Sequence, residues 1–341
     1  MRLDKEVEAM GATEIVQAMV SPAEKLIEAV SGAIGKAYEP RHVRKMAEAK
    51  AYELKLIADA VRNNSDVPIV YDSTGVSIDT SNYEEIAKRA SCRLAFQEIT
   101  KQQNIEAVVD RAYDELSGEE SANSEPVSQD WMSRFFNSVE DIGDEKMQEI
   151  WARILAGEIR SPNTYSYRTL ECLRSITRLE AELFLRVSSL ALRHAGTYFV
   201  AANNDLLNQY GVPFSNILKL EECGLMSAQN LSLTLSASTT NADYICNSKY
   251  IGFIKGTKPE MQKVVLSIFV FTESGRQLIK AIQPQETEQY LFDYLQFIQS
   301  KNEETLITGH VINTFNDDGS INYNPVNILA TGSKQDNLQR Q

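Results

Sequence analysis

Apolar residues recur at helical spacing through the first part of the chain. The segment Ser21-Pro-Ala-Glu24 has the pattern of a capping box with proline at the first helical position. An apolar stripe follows at Leu26, Ile27, Val30 and Ile34, and an alanine-rich stripe follows Pro40, at Ala47, Ala51, Leu54, Ala58 and Val61. These stripes predict amphipathic helices over residues 1–62.

The pattern changes twice before the middle of the chain. Residues 63–82 hold Pro68, Gly75 and short β-rich runs, which predicts a linker or a small hairpin. Helical spacing returns over residues 83–116. Residues 117–128 are polar and acidic, and we interpret them as a linker.

The densest helical pattern covers residues 129–195, where we expect a central helical bundle. Asp144 is placed to cap a helix whose apolar stripe includes Trp151, and Thr177-Arg-Leu-Glu180 is a second capping box. Short helices joined by tight turns are typical of an antiparallel bundle.

Residues 196–330 mix helical and extended patterns. A strand at Thr197–Ala201 precedes two short helices, three extended stretches and a helix that begins at Thr272. This order resembles a winged-helix domain, and the polar residues 331–341 are expected to form a disordered tail. The predicted fold class is therefore mainly α, a helical bundle with a C-terminal α+β winged-helix-like domain.

Two family resemblances arise from the middle of the chain. The segments Asp130–Phe136, Asp144–Glu158 and Leu179–Phe184 resemble the bacterial "domain of unknown function" family 2806. That resemblance covers most of the chain and implies no particular activity. The helix with Trp-Ala-x-x-Leu-Ala at Trp151–Ala156 is also similar to the abortive-infection alpha group of phage-defence proteins. The second likeness implies a helical scaffold and a role in antiviral defence.

Charge argues against nucleic acid as a partner. The chain carries a net charge of −13, so it is repelled by phosphates unless it has a local basic patch. In the predicted winged-helix domain, Lys219 is opposed by Glu221 and Glu222, and residues 227–244 contain no lysine or arginine. We therefore favour protein contacts over DNA for this domain.

A basic run near the N-terminus is the first candidate interaction site. Lys36, Arg41, Arg44 and Lys45 follow the apolar helix of residues 23–37, an arrangement that suits contact with an anionic membrane surface. The alternative is an ordinary packed amphipathic helix whose cations pair with carboxylates of this chain, and the absence of tryptophan and phenylalanine there favours it.

The second candidate interaction site lies in the family motif, at Trp151, Arg153, Gly157 and Glu158. As a docking surface it would expose Arg153 and Glu158, while Gly157 would let another chain approach closely. The alternative places Trp151 in the core, Gly157 near a helix end and Glu158 in solvent.

No pattern points to catalysis, a cofactor or a metal. The chain has no GxSxG segment and no complete phosphate loop, and its four cysteines and three histidines are scattered. We expect free thiols and a cytoplasmic protein, with peripheral contact at the inner membrane as a variant. The predicted function is a non-catalytic scaffold or interaction protein that binds a protein partner or itself. The alternatives are a winged-helix nucleic-acid-binding regulator, a peripheral membrane effector, and an enzyme whose site is assembled from distant residues.

Overall fold

A computed structural model describes residues 21–34, 80–119, 125–316 and 320–329. The chain divides into two compact units, residues 1–170 and 171–341. No helix in the described parts of the chain is long and apolar enough to cross a bilayer. The predicted division of the chain into seven segments stays a prediction.

The described part of the first unit is helical. Its helices are α1 (Pro22–Ile34), α2 (Thr80–Leu116), α3 (Gln129–Val139) and α4 (Glu145–Arg160), and α5 (Tyr167–Ser175) crosses the boundary between the units. The capping box at the start of α1 is confirmed, because Ser21 and Glu24 exchange side-chain-to-backbone hydrogen bonds. The N-cap of α4 is also confirmed, since Asp144 accepts from the backbone N–H groups of Lys146 and Met147.

Large apolar side chains fill the space between these helices. The ring of Phe135 stacks on Trp131 with centroids 5.1 Å apart and meets the edge of Trp151 at 5.5 Å. Val109 and Leu116 of α2 are also fully buried. The first unit therefore has a core of its own, built mainly from α2, α3 and α4.

The second unit combines helices with a sheet. In chain order its elements are α6 (Arg178–Ser188), β1 (Leu192–His194), β2 (Thr197–Ala201), α7 (Asn204–Gln209), α8 (Phe214–Glu222), β3 (Met226–Ala237), β4 (Ala242–Cys246), β5 (Tyr250–Gly256), β6 (Gln262–Phe271), α9 (Glu273–Ile282), α10 (Glu288–Lys301), β7 (Thr305–Phe315) and β8 (Ile321–Tyr323). The second capping box is confirmed at the start of α6.

The eight described strands form one antiparallel sheet in the order β3-β6-β2-β1-β4-β5-β7-β8. Strand β3 also contacts β4 and β5, which are not its neighbours in that order, so the sheet curls. Its inner face carries the buried residues Leu235, Ile245 and Ile254. Helix α10 packs on this face, where Leu295 lies against the backbone of Gly252.

The predicted fold class is wrong. Helices make up the described part of the first unit, but the second is organised by an eight-stranded antiparallel sheet, not by a small winged-helix domain. The extended stretch expected in a wing hairpin, β3, pairs with the distant β6, as at Leu231 opposite Ile268. The β4–β5 hairpin lies between them in sequence and joins the sheet beside β1. Such long-range pairing leaves no local signal in the sequence.

Candidate functional site

Among the described residues of the first unit, Glu158, near the end of α4, is the least exposed ionisable residue. Its side chain is 1% exposed. The backbone N–H of Asn163 donates to Oε1 at 2.6 Å, and that of Tyr165 donates to Oε2 at 2.9 Å. Asn163 has a φ of 68°, a left-handed conformation that few residues adopt. Glu158 therefore fixes the sharp turn between α4 and α5.

The aromatic residues of the family motif hold the same turn from its other side. Trp131 donates from Nε1 to the backbone carbonyl of Tyr165 at 2.7 Å. The ring of Tyr165 lies over Gly157, where a Cβ atom would come within 2.7 Å of the tyrosine oxygen. The close approach that Gly157 permits is thus made by a residue of the same chain. Trp151 is fully buried, and its Nε1 has no hydrogen-bond partner among the described residues.

Burial dominates the electrostatics of this cluster. It raises the pKa of Glu158, while the backbone hydrogen bonds and the charge of Lys25 oppose that rise. Lys25 of α1 is itself buried, and burial lowers its pKa. The pKa of the Tyr165 hydroxyl is raised to about 12, mainly by burial. Because both oxygens of Glu158 already accept backbone N–H groups, the carboxylate organises a loop.

The predicted interaction residues fall in different places. Lys36, Arg41, Arg44 and Lys45 lie outside the described residues. Trp151 and Glu158 are buried, so Glu158 is not in solvent as the sequence suggested, whereas Arg153 is exposed. A docking role for this motif stays a prediction. The described residues hold no group of three or more His, Cys, Asp or Glu side chains placed for a metal ion.

An exposed helix face occurs on α2, and it was not among the interaction sites predicted from the sequence. Ile86, Arg89, Ala90, Arg93 and Leu94 follow the i, i+3, i+4, i+7, i+8 spacing of one helix face, which we call the α2 arm face. Ile86 is 53% and Leu94 54% exposed. The spacing could have identified this face, but only the structure shows that its apolar residues are uncovered.

Fold and site together define an α+β protein. The residues of its distinctive motif pack in the core of the first unit and fix the turn between α4 and α5. Residues 88–296 match the model of a family described as "Protein of unknown function (DUF2806)". Because this match covers more than half of the chain, the protein belongs to that family, and the predicted resemblance is confirmed. No curated protein and no solved structure matches the chain. The likeness to abortive-infection alpha proteins is not shown by these comparisons.

Proposed function

We propose that the protein acts by binding, and that the α2 arm face joins it to a second copy of the same chain. The observation that carries this proposal is an apolar and arginine-bearing helix face exposed on α2. Isolated apolar residues are common on protein surfaces, but a face at regular helical spacing is typical of a contact with another helix or surface.

The geometry of α2 explains why its first half stands exposed. The helix has 37 residues, about 55 Å at 1.5 Å per residue. Near the middle of the helix, the ammonium group of Lys101 binds Glu140 at 2.8 Å. Further along, Arg111 donates to Gln148 at 2.9 Å. The side chains of residues 86–98 are mostly exposed.

The spacing of apolar residues along α2 supports a partner on the side of Leu94. Leu94, Ile105 and Leu116 are spaced 11 residues apart, almost three whole turns, so they lie on one face. Leu116 is fully buried and Ile105 is half-buried within the first unit, whereas Leu94 is exposed. The buried stripe therefore continues along α2 beyond the point where the described helices cover it.

Charge favours a second copy as the occupant. Residues 86–97 contain Lys88, Arg89 and Arg93, a local charge of +3 that leaves −16 on the rest of the chain, and Glu85 and Glu98 flank this segment. A copy of this chain is thus an acidic surface for an arginine-bearing face. Arginine suits this contact because its guanidinium pairs with carboxylates through two parallel hydrogen bonds.

Sedimentation velocity over a range of protein concentrations tests this proposal. We expect wild type to form a dimer and Leu94→Asp to sediment as a monomer, because a buried unpaired carboxylate opposes association. The matched control is Leu179→Asp on α6, where the leucine is 77% exposed, and it should stay dimeric. Arg89→Glu with Arg93→Glu should weaken the dimer, and added salt should weaken the wild-type dimer.

Two results would contradict self-association. The first is that wild type stays monomeric at every concentration, even if that monomer binds an unrelated acidic protein. The second is that the Leu94→Asp variant associates like wild type. A role in phage defence, and contact with the inner membrane, are supported by sequence likeness and sequence pattern alone. The proposed self-association does not depend on either of them.

A further inference from the structure

The outer face of the sheet gathers residues that are distant in sequence. Residues directly opposite each other in neighbouring strands share a face. Register places Arg193 of β1 beside Cys246 of β4, then Ile251 of β5, then His310 of β7. This row lies on the side of the sheet opposite Ile245 and Ile254, which we call the outer face. Cys246, Ile251 and His310 are themselves buried, so a ligand would meet other residues of this face.

The charges of the sheet are segregated. Asp243 is the single acidic residue within the eight described strands, and it lies opposite Ile254 on the inner face. The outer face carries Arg193, Lys255 and Lys263, and both lysines are exposed. In a chain of net charge −13, a broad face with cations and no carboxylate within its strands is a local basic surface.

Aromatic rings lie among these cations. Phe253 is 4.9 Å from Tyr323 and 6.3 Å from Tyr244, measured between ring centroids. Tyr323 is 40% exposed, and Phe315, near the end of β7, is 45% exposed. His310 packs 5.2 Å from Tyr323 and is held by hydrogen bonds on both ring nitrogens. Exposed rings on a rigid sheet offer flat surfaces for stacking.

Arg193 adds a positive charge beside two aromatic rings of this face. Its guanidinium carbon lies 4.8 Å from the ring centre of Phe315 and 5.6 Å from that of Tyr198. Its Nη2 atom is buried and has no hydrogen-bond partner among the described residues. Because this atom is buried, Arg193 contributes its positive charge beside these two rings and not a donor that a ligand could reach.

We propose that this outer face binds single-stranded nucleic acid. Unpaired bases expose both of their flat sides and stack on aromatic side chains, while lysine and arginine follow the phosphates. An acidic peptide would satisfy the cations but would leave the exposed rings of Phe315 and Tyr323 without a matching surface. Helix α8 and residues 227–244 lack a cationic surplus and so disfavour nucleic acid, whereas the outer face draws its cations from other segments.

Fluorescence anisotropy of the full chain tests the proposal, with labelled oligouridine and oligothymidine of about 15 nucleotides at low salt. Lys255→Glu with Lys263→Glu should weaken binding at least about tenfold and flatten its dependence on salt. Phe315→Ala with Tyr323→Ala should also weaken it about tenfold or more. The charge-matched control, Lys146→Glu with Lys280→Glu, alters two exposed lysines on helices and should leave binding within about twofold of wild type.

Failure has three recognisable forms. The proposal is overturned if micromolar wild type binds neither oligonucleotide, or if both outer-face variants bind like the control. It is also overturned if an oligoglutamate of equal charge displaces the oligonucleotide as well as unlabelled oligonucleotide does, because the face would then read charge alone. All substituted positions except Phe315 and Tyr323 are solvent-exposed lysines, and thermal unfolding of each variant verifies its fold.

Discussion

At the scale of single residues, the family motif turns out to build structure. Glu158 and Gly157 were expected at a surface, but the carboxylate binds the turn after α4 and the glycine makes room for Tyr165. The sequence could predict the burial of Trp151 from its helical stripe. It could not predict the burial of Glu158, because a carboxylate with backbone partners looks the same in sequence as a solvated one.

Glu158→Gln should destabilise the folded protein by about 1–3 kcal/mol, since the amide has one acceptor oxygen and its NH₂ group would face a backbone donor. Chemical denaturation monitored by tryptophan fluorescence would measure this change. Glu149→Gln, on the exposed side of the same helix, is the matched control and should change stability little. Equal stability of the two variants would show that the turn does not depend on the buried carboxylate.

The stability difference between wild type and Glu158→Gln should depend on pH. Burial raises the pKa of Glu158 in the folded state, so the folded chain binds the proton more tightly than the unfolded chain. The contribution of Glu158 to the free energy of unfolding is therefore fully present below the ordinary glutamate pKa. It is lost as the pH rises through the raised pKa of the folded state. The difference in unfolding free energy between wild type and Glu158→Gln should narrow over that window, and a difference that widens would contradict the assigned direction.

At the scale of elements, local signals predicted the helices well and the sheet poorly. Both capping boxes and the Asp144 cap occur where residue type and spacing placed them. The strand at Thr197–Ala201 also has its predicted bounds. Strand order was out of reach, because the partner of β3 is set by the packing of distant segments, and no spacing in the sequence reports which strands meet.

The contact between β5 and α10 shows how one position couples two elements. A Cβ atom on Gly252 would lie 2.5 Å from both terminal carbons of Leu295, which is fully buried. Gly252→Ala should therefore cost about 1–3 kcal/mol through overpacking. Urea unfolding would measure it, with Gly143→Ala as the control, since a Cβ there meets nothing within 4 Å.

A double variant separates this clash from a general cost of alanine in the strand. Leu295→Ala removes the carbons that the new methyl group would meet, so Gly252→Ala should cost less in that background than in wild type. Additive effects of the two substitutions would mean that Gly252 is not placed there to admit Leu295.

At the scale of the whole molecule, the distribution of groups matters more than their number. The composition gives a net charge of −13 and predicts repulsion from phosphates, yet strand register places Asp243, the one acidic residue of the described strands, on the inner face of the sheet. The sequence shows the sum of the charges, and only strand register shows where they gather. The α2 arm face and the outer face rest on separate observations, and either can fail without the other.

The four cysteines should react at different rates, because their environments in the folded protein differ. All four are free, as predicted; Cys92 is exposed, whereas burial raises the pKa of the Cys223 and Cys246 thiols to about 11. Since the thiolate is the reactive form, alkylation near pH 8 should modify Cys92 first and leave Cys223 and Cys246 until denaturant is added. Peptide mass spectrometry at timed intervals would give the order, and Cys92→Ser should remove the fast phase.

Cys92 lies on the side of α2 away from Ile86 and Leu94, so this phase should persist in the proposed dimer. Rapid labelling of Cys246 in the folded protein would instead mean that the β1–β4 pairing opens readily.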